Sequence, residues 1–221
     1  MNKKNLTYII LISSCVVLLV LFIVLILGRK HDDTAGGNKT SDNTTEEPTI
    51  VQDAFLTGDS IIQNFLTVNK YSRPGTGLNK VNGIVIHYVG NPGTSAANNR
   101  NYFENLKDTH ERSASSHYII GLEGEIIQCI PLNEISYASN DRNKDTIAIE
   151  CCHPDETGEF NSATYESLVN LTAALCRTYG LNPGTDVLRH YDVTGKYCPL
   201  YFVENEDEWR YFLMQVNSRL K

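Results

Sequence analysis

The sequence predicts a layered α/β or α+β domain behind one N-terminal transmembrane helix. Apolar runs with strand-like patterns alternate with segments of helical spacing, which is typical of layered folds. Two β-prone runs joined by a short glycine-containing turn indicate a hairpin. An uninterrupted apolar stretch near the N-terminus is long enough to cross a bilayer. These three observations together predict one anchored domain with a single hydrophobic core.

Residues 8–28 form the apolar stretch, which has 21 residues, mostly Ile, Leu and Val, and no charged side chain. At about 1.5 Å per residue, such a helix spans roughly 30 Å of hydrocarbon. A cleaved signal peptide is the alternative, but its apolar region should have only about 7–15 residues and an A-x-A-like site. Residues 12–15 also resemble a lipoprotein cleavage site, yet the apolar run continues past Cys15. We therefore expect an uncleaved anchor.

Residues 32–48 are polar, and Ala35 is the only apolar side chain among them. Such a segment buries too little surface to offset its ordering entropy, so we expect a flexible linker over residues 29–57. The globular domain should begin between residues 49 and 58, and we assign it to residues 58–221. The net charge of −7 gives no general attraction for nucleic acid, so we expect no nucleic-acid partner.

The first half of the domain contains strand patterns around a single helix pattern. In chain order we predict a buried strand at residues 83–89, a helix at 98–107, a hairpin of 117–120 and 125–130 around a turn at 121–124, and a second core strand at 146–152.

The second half of the domain is mainly helical. A helix capped by Asn161, or by the serine after it, should run to a stop at Gly180. Residues 186–189 lead into a loop that ends around Cys198. Residues 206–220 have an apolar side and form a terminal amphipathic helix.

His190 and Cys198 lie eight residues apart in that loop, and imidazole and thiolate are both good zinc ligands. A catalytic zinc site needs three protein ligands and one open position, and His87 is the natural third ligand. Strand alternation places His87 on the face shared by Val85. A buried structural histidine is the alternative, so the spacings alone define only a candidate metal site.

Glu150 lies in a strand that is otherwise apolar on both faces. Alternation places it beside Ala148 and Cys152, and opposite Ile147 and Ile149. A buried carboxylate is costly without a partner or a role. Glu150 is therefore either the partner of an arginine at a strand end or, beside a zinc ion, a general acid and base.

Four motifs follow one another in the order of a known enzyme family. They are IVIHYVG (84–90), SASSHYIIGLEGEIIQ (113–128), TIAIECC (146–152) and RHYDVTGKYCP (189–199). Through them, residues 65–214 resemble the type-2 N-acetylmuramoyl-L-alanine amidases of bacteria and phages, which are relatives of peptidoglycan recognition proteins. The resemblance implies an α/β fold with a central mixed β-sheet flanked by helices, and one Zn²⁺ bound in a groove.

The resemblance also implies roles for individual residues. His87, His190 and Cys198 are the expected zinc ligands. Lys196 matches a lysine that stabilises the oxyanion in some members. Other members have a catalytic tyrosine where this chain has Ser116, so that role is not carried over.

The strand glutamate is similar to that of the Gram-positive and phage branch, so Glu150 is the expected acid and base. His117 is expected either to line the groove or to be structural. Asp192 is expected either to hold the His190 ring from outside the metal shell or to belong to a loop turn.

The implied activity is hydrolysis of the amide between the N-acetylmuramoyl lactyl group and L-alanine in peptidoglycan, which makes residues 58–221 a zinc amidase domain. Basic residues flank residues 8–28 on both sides, so charge does not decide which end of the predicted helix faces the cytoplasm. Because the substrate lies outside the cell, we expect a monomeric single-pass protein of the cell membrane, with residues 1–7 as a cytoplasmic stub and an extracellular linker and domain. Two alternatives are a non-catalytic peptidoglycan-binding receptor and a zinc peptidase that acts within the stem peptide.

Overall fold

The structure, a computed structural model, describes residues 53–221. Within that range, six strands form one sheet with the order β1-β4-β3-β5-β2-β6. In chain order the strands are β1 (Ile61–Gln63), β2 (Gly83–Tyr88), β3 (Tyr118–Ile120), β4 (Ile126–Gln128), β5 (Thr146–Cys151) and β6 (Val187–Arg189). The pair of β3 and β4 is antiparallel and the other neighbours are parallel. The expected mixed sheet is therefore confirmed.

Helices cover both faces of this sheet. They are α1 (Ala54–Thr57), α2 (Ala96–Thr109), a 3₁₀ helix (Asn140–Lys144), α3 (Ser162–Tyr179), α4 (Pro183–Asp186), α5 (His190–Thr194), α6 (Leu200–Glu204) and α7 (Glu206–Ser218). Apolar residues of α3 and α7 pack with one face of the sheet in the main core. Phe103 and Leu106 of α2 belong to a smaller core on the other face.

One part of the predicted fold class needs correction. In the described range, residues 53–221, no helix is long and apolar enough to cross a membrane. The segment at residues 8–28 that was predicted to span the membrane lies outside the described residues. The structure thus supplies a mixed α/β domain without the membrane helix that the fold class included, and the localisation and membrane contact inferred from that helix are withdrawn.

Strands β2 and β5 are neighbours in the interior of the sheet. Ile84 and Ile86 of β2 are fully buried in the main core. Because side chains alternate along a strand, His87 belongs to the opposite face. The parallel register pairs His87 with Glu150, one on each strand. Two polar residues are thereby placed side by side at the carboxyl ends of these two neighbouring strands.

Helix α3 begins and ends where its sequence predicts. The Asn161 side chain accepts a hydrogen bond from the Thr164 amide at 2.9 Å, which satisfies one of the free amides of the first turn. Gly180 ends the helix with a φ of 65°, a conformation that glycine adopts without a Cβ clash. The terminal helix α7 buries Trp209 and Phe212 beside Phe202 of α6, as its amphipathic pattern predicts.

The segment before Cys198 is more regular than predicted. The region at 186–189 contains strand β6, which pairs with β2, and the predicted loop begins as helix α5. The Asp192 carboxylate accepts a hydrogen bond from the Arg189 amide at 2.8 Å and so caps this short helix. Strand β1 was not predicted, because its three residues carry no alternation of their own.

Candidate active site

His87, His190 and Cys198 converge at the carboxyl end of β2. One potential ligand atom from each residue lies within 4.8 Å of the others. The Cys198 Sγ atom is 3.9 Å from His87 Nδ1. The three residues that the sequence singled out as metal ligands are therefore brought together by the fold.

The chain path explains this convergence. Strand β6 runs parallel to β2, so His190, which follows β6 directly, emerges beside His87. The chain then turns through Gly195 and returns, and the Tyr191 amide donates a hydrogen bond to the Cys198 carbonyl at 2.9 Å. This bond closes the segment and brings Cys198 back to the strand end.

The protonation states suit metal binding. Burial lowers the pKa of His87 well below its usual value, and repulsion from the His190 ring, when that ring is protonated, and from Lys196 adds to the effect. Burial also lowers the pKa of His190. Both rings are therefore neutral near pH 7, the form in which imidazole binds a metal. Burial raises the pKa of the Cys198 thiol to about 12, so binding a metal there would displace a proton.

The geometry also fits a zinc ion. With Zn–S near 2.3 Å and Zn–N near 2.0–2.1 Å, a sulfur and a nitrogen at two tetrahedral corners lie about 3.6 Å apart. The observed 3.9 Å between Cys198 Sγ and His87 Nδ1 is close to this distance. His190 Nδ1 is buried and has no hydrogen-bond partner among the described residues, so it is free to bind an ion. Three protein ligands are the number found in catalytic zinc sites.

Glu150 stands next to this cluster. Its Oε2 atom is inaccessible to solvent and has no hydrogen-bond partner in the described part of the chain. Burial raises the pKa of Glu150 to about 8, and the nearby charge of Lys196 opposes that effect. The arginine partner that was the alternative for Glu150 is not found within residues 53–221. A carboxyl group with a pKa near neutrality can both accept and return a proton.

Lys196 lies just after Gly195, on the exposed rim of the site. Its charge contributes to lowering the pKa of both His87 and His190 and opposes the rise at Glu150. Its side chain lines the same cleft as Glu150. An exposed ammonium group at this position can stabilise negative charge that develops beside the cluster.

The proposed ligands, the glutamate and the lysine line one cleft of about 200 Å³: His87, His190, Cys198, Glu150 and Lys196. Its walls also include Asn99, Tyr102, Arg112 and Tyr137. A larger cavity of about 540 Å³ is lined by Tyr118 and Gln128, and it contains none of the five residues. The cleft, although smaller, is where the chemistry-bearing side chains meet.

Two sequence-predicted residues lie elsewhere. His117 is fully buried, its Nδ1 accepts a hydrogen bond from the Ala148 amide at 3.0 Å, and its Nε2 lies 2.9 Å from the Glu134 carbonyl oxygen. Both ring nitrogens are thus used by the backbone, which supports the structural alternative. Asp192 contacts Arg189, at 2.8 Å between Oδ1 and Nη2, and does not hold the His190 ring.

Ser139 is a site residue that the sequence did not reveal. Its Oγ atom lies 3.2 Å from His87 Nε2, and both residues are buried. Ser139 precedes the 3₁₀ helix in an irregular segment, where no periodicity fixes the direction of a side chain. No sequence signal links it to a strand 52 residues away.

Known proteins resemble this chain in sequence and in fold. Residues 77–200 match the model of the family described as N-acetylmuramoyl-L-alanine amidase. The amidase CwlL of Bacillus licheniformis is 37% identical over 173 residues, which cover 72% of this chain and 47% of that protein. The amidase BlyA of Bacillus subtilis (strain 168) is 34% identical over 177 residues, covering 71% and 47%. The chain thus spans about half the length of the curated relatives it matches.

A solved structure agrees with these relatives. The catalytic domain of XlyA superimposes with a TM-score of 0.59 at 26% identity, covering 69% of this chain and 98% of that domain. The resemblance inferred from the four motifs is therefore confirmed. With its family model matched over more than half of its length, the chain belongs to the type-2 N-acetylmuramoyl-L-alanine amidase family.

Proposed function

We propose that this protein is a zinc-dependent N-acetylmuramoyl-L-alanine amidase that cuts peptidoglycan between the lactyl group and the first L-alanine. One observation carries the proposal: three potential zinc ligands and an unpartnered buried glutamate converge in one cleft. Membership of the amidase family supports the amide between the lactyl group and L-alanine as the bond that is cut. The named activity of CwlL and BlyA supports peptidoglycan as the substrate.

The proposed ligands are His87, His190 and Cys198. A zinc ion held there would polarise the scissile carbonyl and lower the pKa of a bound water. Glu150 Oε2, which is buried and unpartnered, accepts the proton of the attacking water. The same carboxyl group then returns that proton to the departing alanine nitrogen. Burial raises the pKa of Glu150 to about 8, which favours the return of the proton, and a cation bound beside it would favour the carboxylate that accepts one.

Lys196 has a different proposed role. Attack on the carbonyl carbon places negative charge on the carbonyl oxygen, and an ammonium group on the rim of the cleft can approach that oxygen. The lysine is exposed and its stem is flexible, so it can follow the substrate into position. The cleft thus offers a proton acceptor at its buried wall and a cation at its rim.

The test is digestion of purified cell wall by the full-length protein, with and without a chelator. We expect new amino termini at L-alanine, no new reducing sugar ends and no activity after chelation, all measured by mass spectrometry of the products. Cys198→Ser serves as the metal-site variant, because a hydroxyl is a poorer zinc ligand than a thiolate. New termini inside the stem peptide, or binding without cleavage, would contradict the proposal.

A further inference from the structure

The two ring nitrogens of His87 have different neighbours. Nδ1 faces the metal-ligand cluster, 3.9 Å from Cys198 Sγ. Nε2 points away from it and lies 3.2 Å from Ser139 Oγ. His87 is only 2% exposed, so water does not compete freely for either nitrogen.

This arrangement decides which nitrogen carries the proton. In a neutral imidazole one nitrogen donates and the other accepts. A ring that offers the Nδ1 lone pair to an ion must carry its proton on Nε2, and that N–H then donates to Ser139 Oγ. The hydrogen bond also resists rotation of the ring about its bond to Cβ, which would turn Nδ1 away from the cluster.

Ser139 is itself held in place by a neighbour. The Asn143 Oδ1 atom accepts hydrogen bonds from the Ser139 amide at 2.6 Å and from the Ala138 amide at 3.0 Å. Asn143 belongs to the 3₁₀ helix that leads into β5. The backbone of Ser139 is therefore fixed by a regular element, and its hydroxyl, in a residue that is 1% exposed, is left for His87.

We propose that Ser139 is a positioning residue that fixes the tautomer and the ring orientation of His87, so that Nδ1 is presented to the metal. Asn143 acts one step further out, by holding the Ser139 backbone. The inference rests on the proposed zinc site, because it concerns the metal affinity that this site provides. It does not depend on which bond of the wall is cut.

The first test measures zinc affinity of the full-length protein by competition with a chromophoric chelator. Loss of a hydrogen bond that orients a ligand typically costs 10-fold to 100-fold in metal affinity, and we expect this for Ser139→Ala. Ser136→Ala is the matched control, since Ser136 is equally buried three residues earlier and forms no hydrogen bond with His87 among the described residues. Equal zinc affinity for wild type and Ser139→Ala would overturn the inference.

A second measurement needs no variant. In the zinc-loaded wild-type protein, nitrogen-detected NMR of the histidine rings should show the proton of His87 on Nε2. A proton on Nδ1 would overturn the inference even if Ser139→Ala failed to fold. The two proposals fail separately. A wild type that does not cut wall refutes the proposed function, while the zinc affinity and the protonated nitrogen of His87 test the positioning role of Ser139.

Discussion

Glu150 is the residue whose chemistry is easiest to isolate, because its buried Oε2 atom has no hydrogen-bond partner in the described chain. Glu150→Gln keeps the volume and removes the ability to accept a proton. We expect kcat on wall fragments to fall on the order of 100-fold to 10,000-fold. Zinc content and melting temperature should stay unchanged. The control is Glu123→Gln, which alters an exposed glutamate in the hairpin turn. Near-normal turnover in Glu150→Gln would remove this residue from the mechanism.

His117 should make stability depend on pH. Burial lowers its pKa to about 4, whereas an unfolded histidine has a pKa of about 6.5. As the pH falls from about 6.5 to about 4, the unfolded chain takes up a proton that the folded chain refuses, so stability is lost over that range. The full difference amounts to about 3 kcal/mol.

Urea unfolding at several pH values, with a chelator present, measures this effect. His117→Asn should be less stable at neutral pH, because asparagine is too short to replace the contact between His117 Nε2 and the Glu134 carbonyl oxygen. Its stability should also fall less steeply on acidification than that of the wild type. His110→Asn, which replaces an exposed histidine, is the control. If stability falls equally steeply on acidification in the wild type and in His117→Asn, His117 is not the source of the pH dependence.

Individual site residues were predictable where they break a pattern. His87 and Glu150 are polar residues in apolar strands, and strand alternation places both on one face. Ser139 was not predictable, because its partner is determined by the path of an irregular segment. Asp192 follows the local alternative instead of the contact with His190. Asp192 lies three residues after Arg189 and binds it, a local contact that competes with the expected contact to His190.

At the level of elements, the turn between α5 and Cys198 depends on one glycine. Gly195 has a φ of 76°, a region that costs L-residues about 1–2 kcal/mol. No atom lies within 4 Å of the position of an added Cβ, so the cost of Gly195→Ala is conformational. We expect a loss of stability of about 1 kcal/mol together with weaker zinc binding, since the turn places Cys198.

Thermal unfolding and chelator competition measure the two effects. Gly184→Ala, in helix α4, is the control because the φ of Gly184 is not positive and its added Cβ would meet only ordinary contacts. Unchanged stability and zinc affinity in Gly195→Ala would mean that the turn tolerates an alternative path.

Elements with a local sequence pattern were predicted well, including the short hairpin strands β3 and β4, whereas the three-residue strands β1 and β6 were not. Helix α3 contains its own start, stop and apolar stripe, so local sequence defines it. Strands β1 and β6 have three residues each and exist because β4 and β2 offer hydrogen bonds to them. Such pairings join distant parts of the chain, and no local pattern reports them.

For the molecule as a whole, charge is unevenly placed. The chain carries a net charge of −7, yet Arg112 and Lys196 line the cleft. Peptide stems of the wall end in carboxylates, and salt screens attraction to exposed cations. We expect cleavage rates on wall fragments to fall as ionic strength rises. Arg112→Gln should weaken this salt dependence, whereas Arg210→Gln, on the surface of α7, should not. Identical salt dependence in all three proteins would exclude steering by the cleft.

The closed segment that carries two of the proposed ligands has a further consequence for proteolysis. Lys196 and Tyr197 are exposed just before Cys198, while the ends of the segment are joined by the hydrogen bond between Tyr191 and Cys198. Trypsin cuts after lysine only when the backbone can open into its active site. A bound ion would tie both ends of the segment to β2, so we expect zinc to slow cleavage at the Lys196–Tyr197 bond. Time courses with and without chelator, followed by mass spectrometry, measure this protection, which Cys198→Ser should lose. Equal cleavage rates would mean that the fold alone keeps the segment closed.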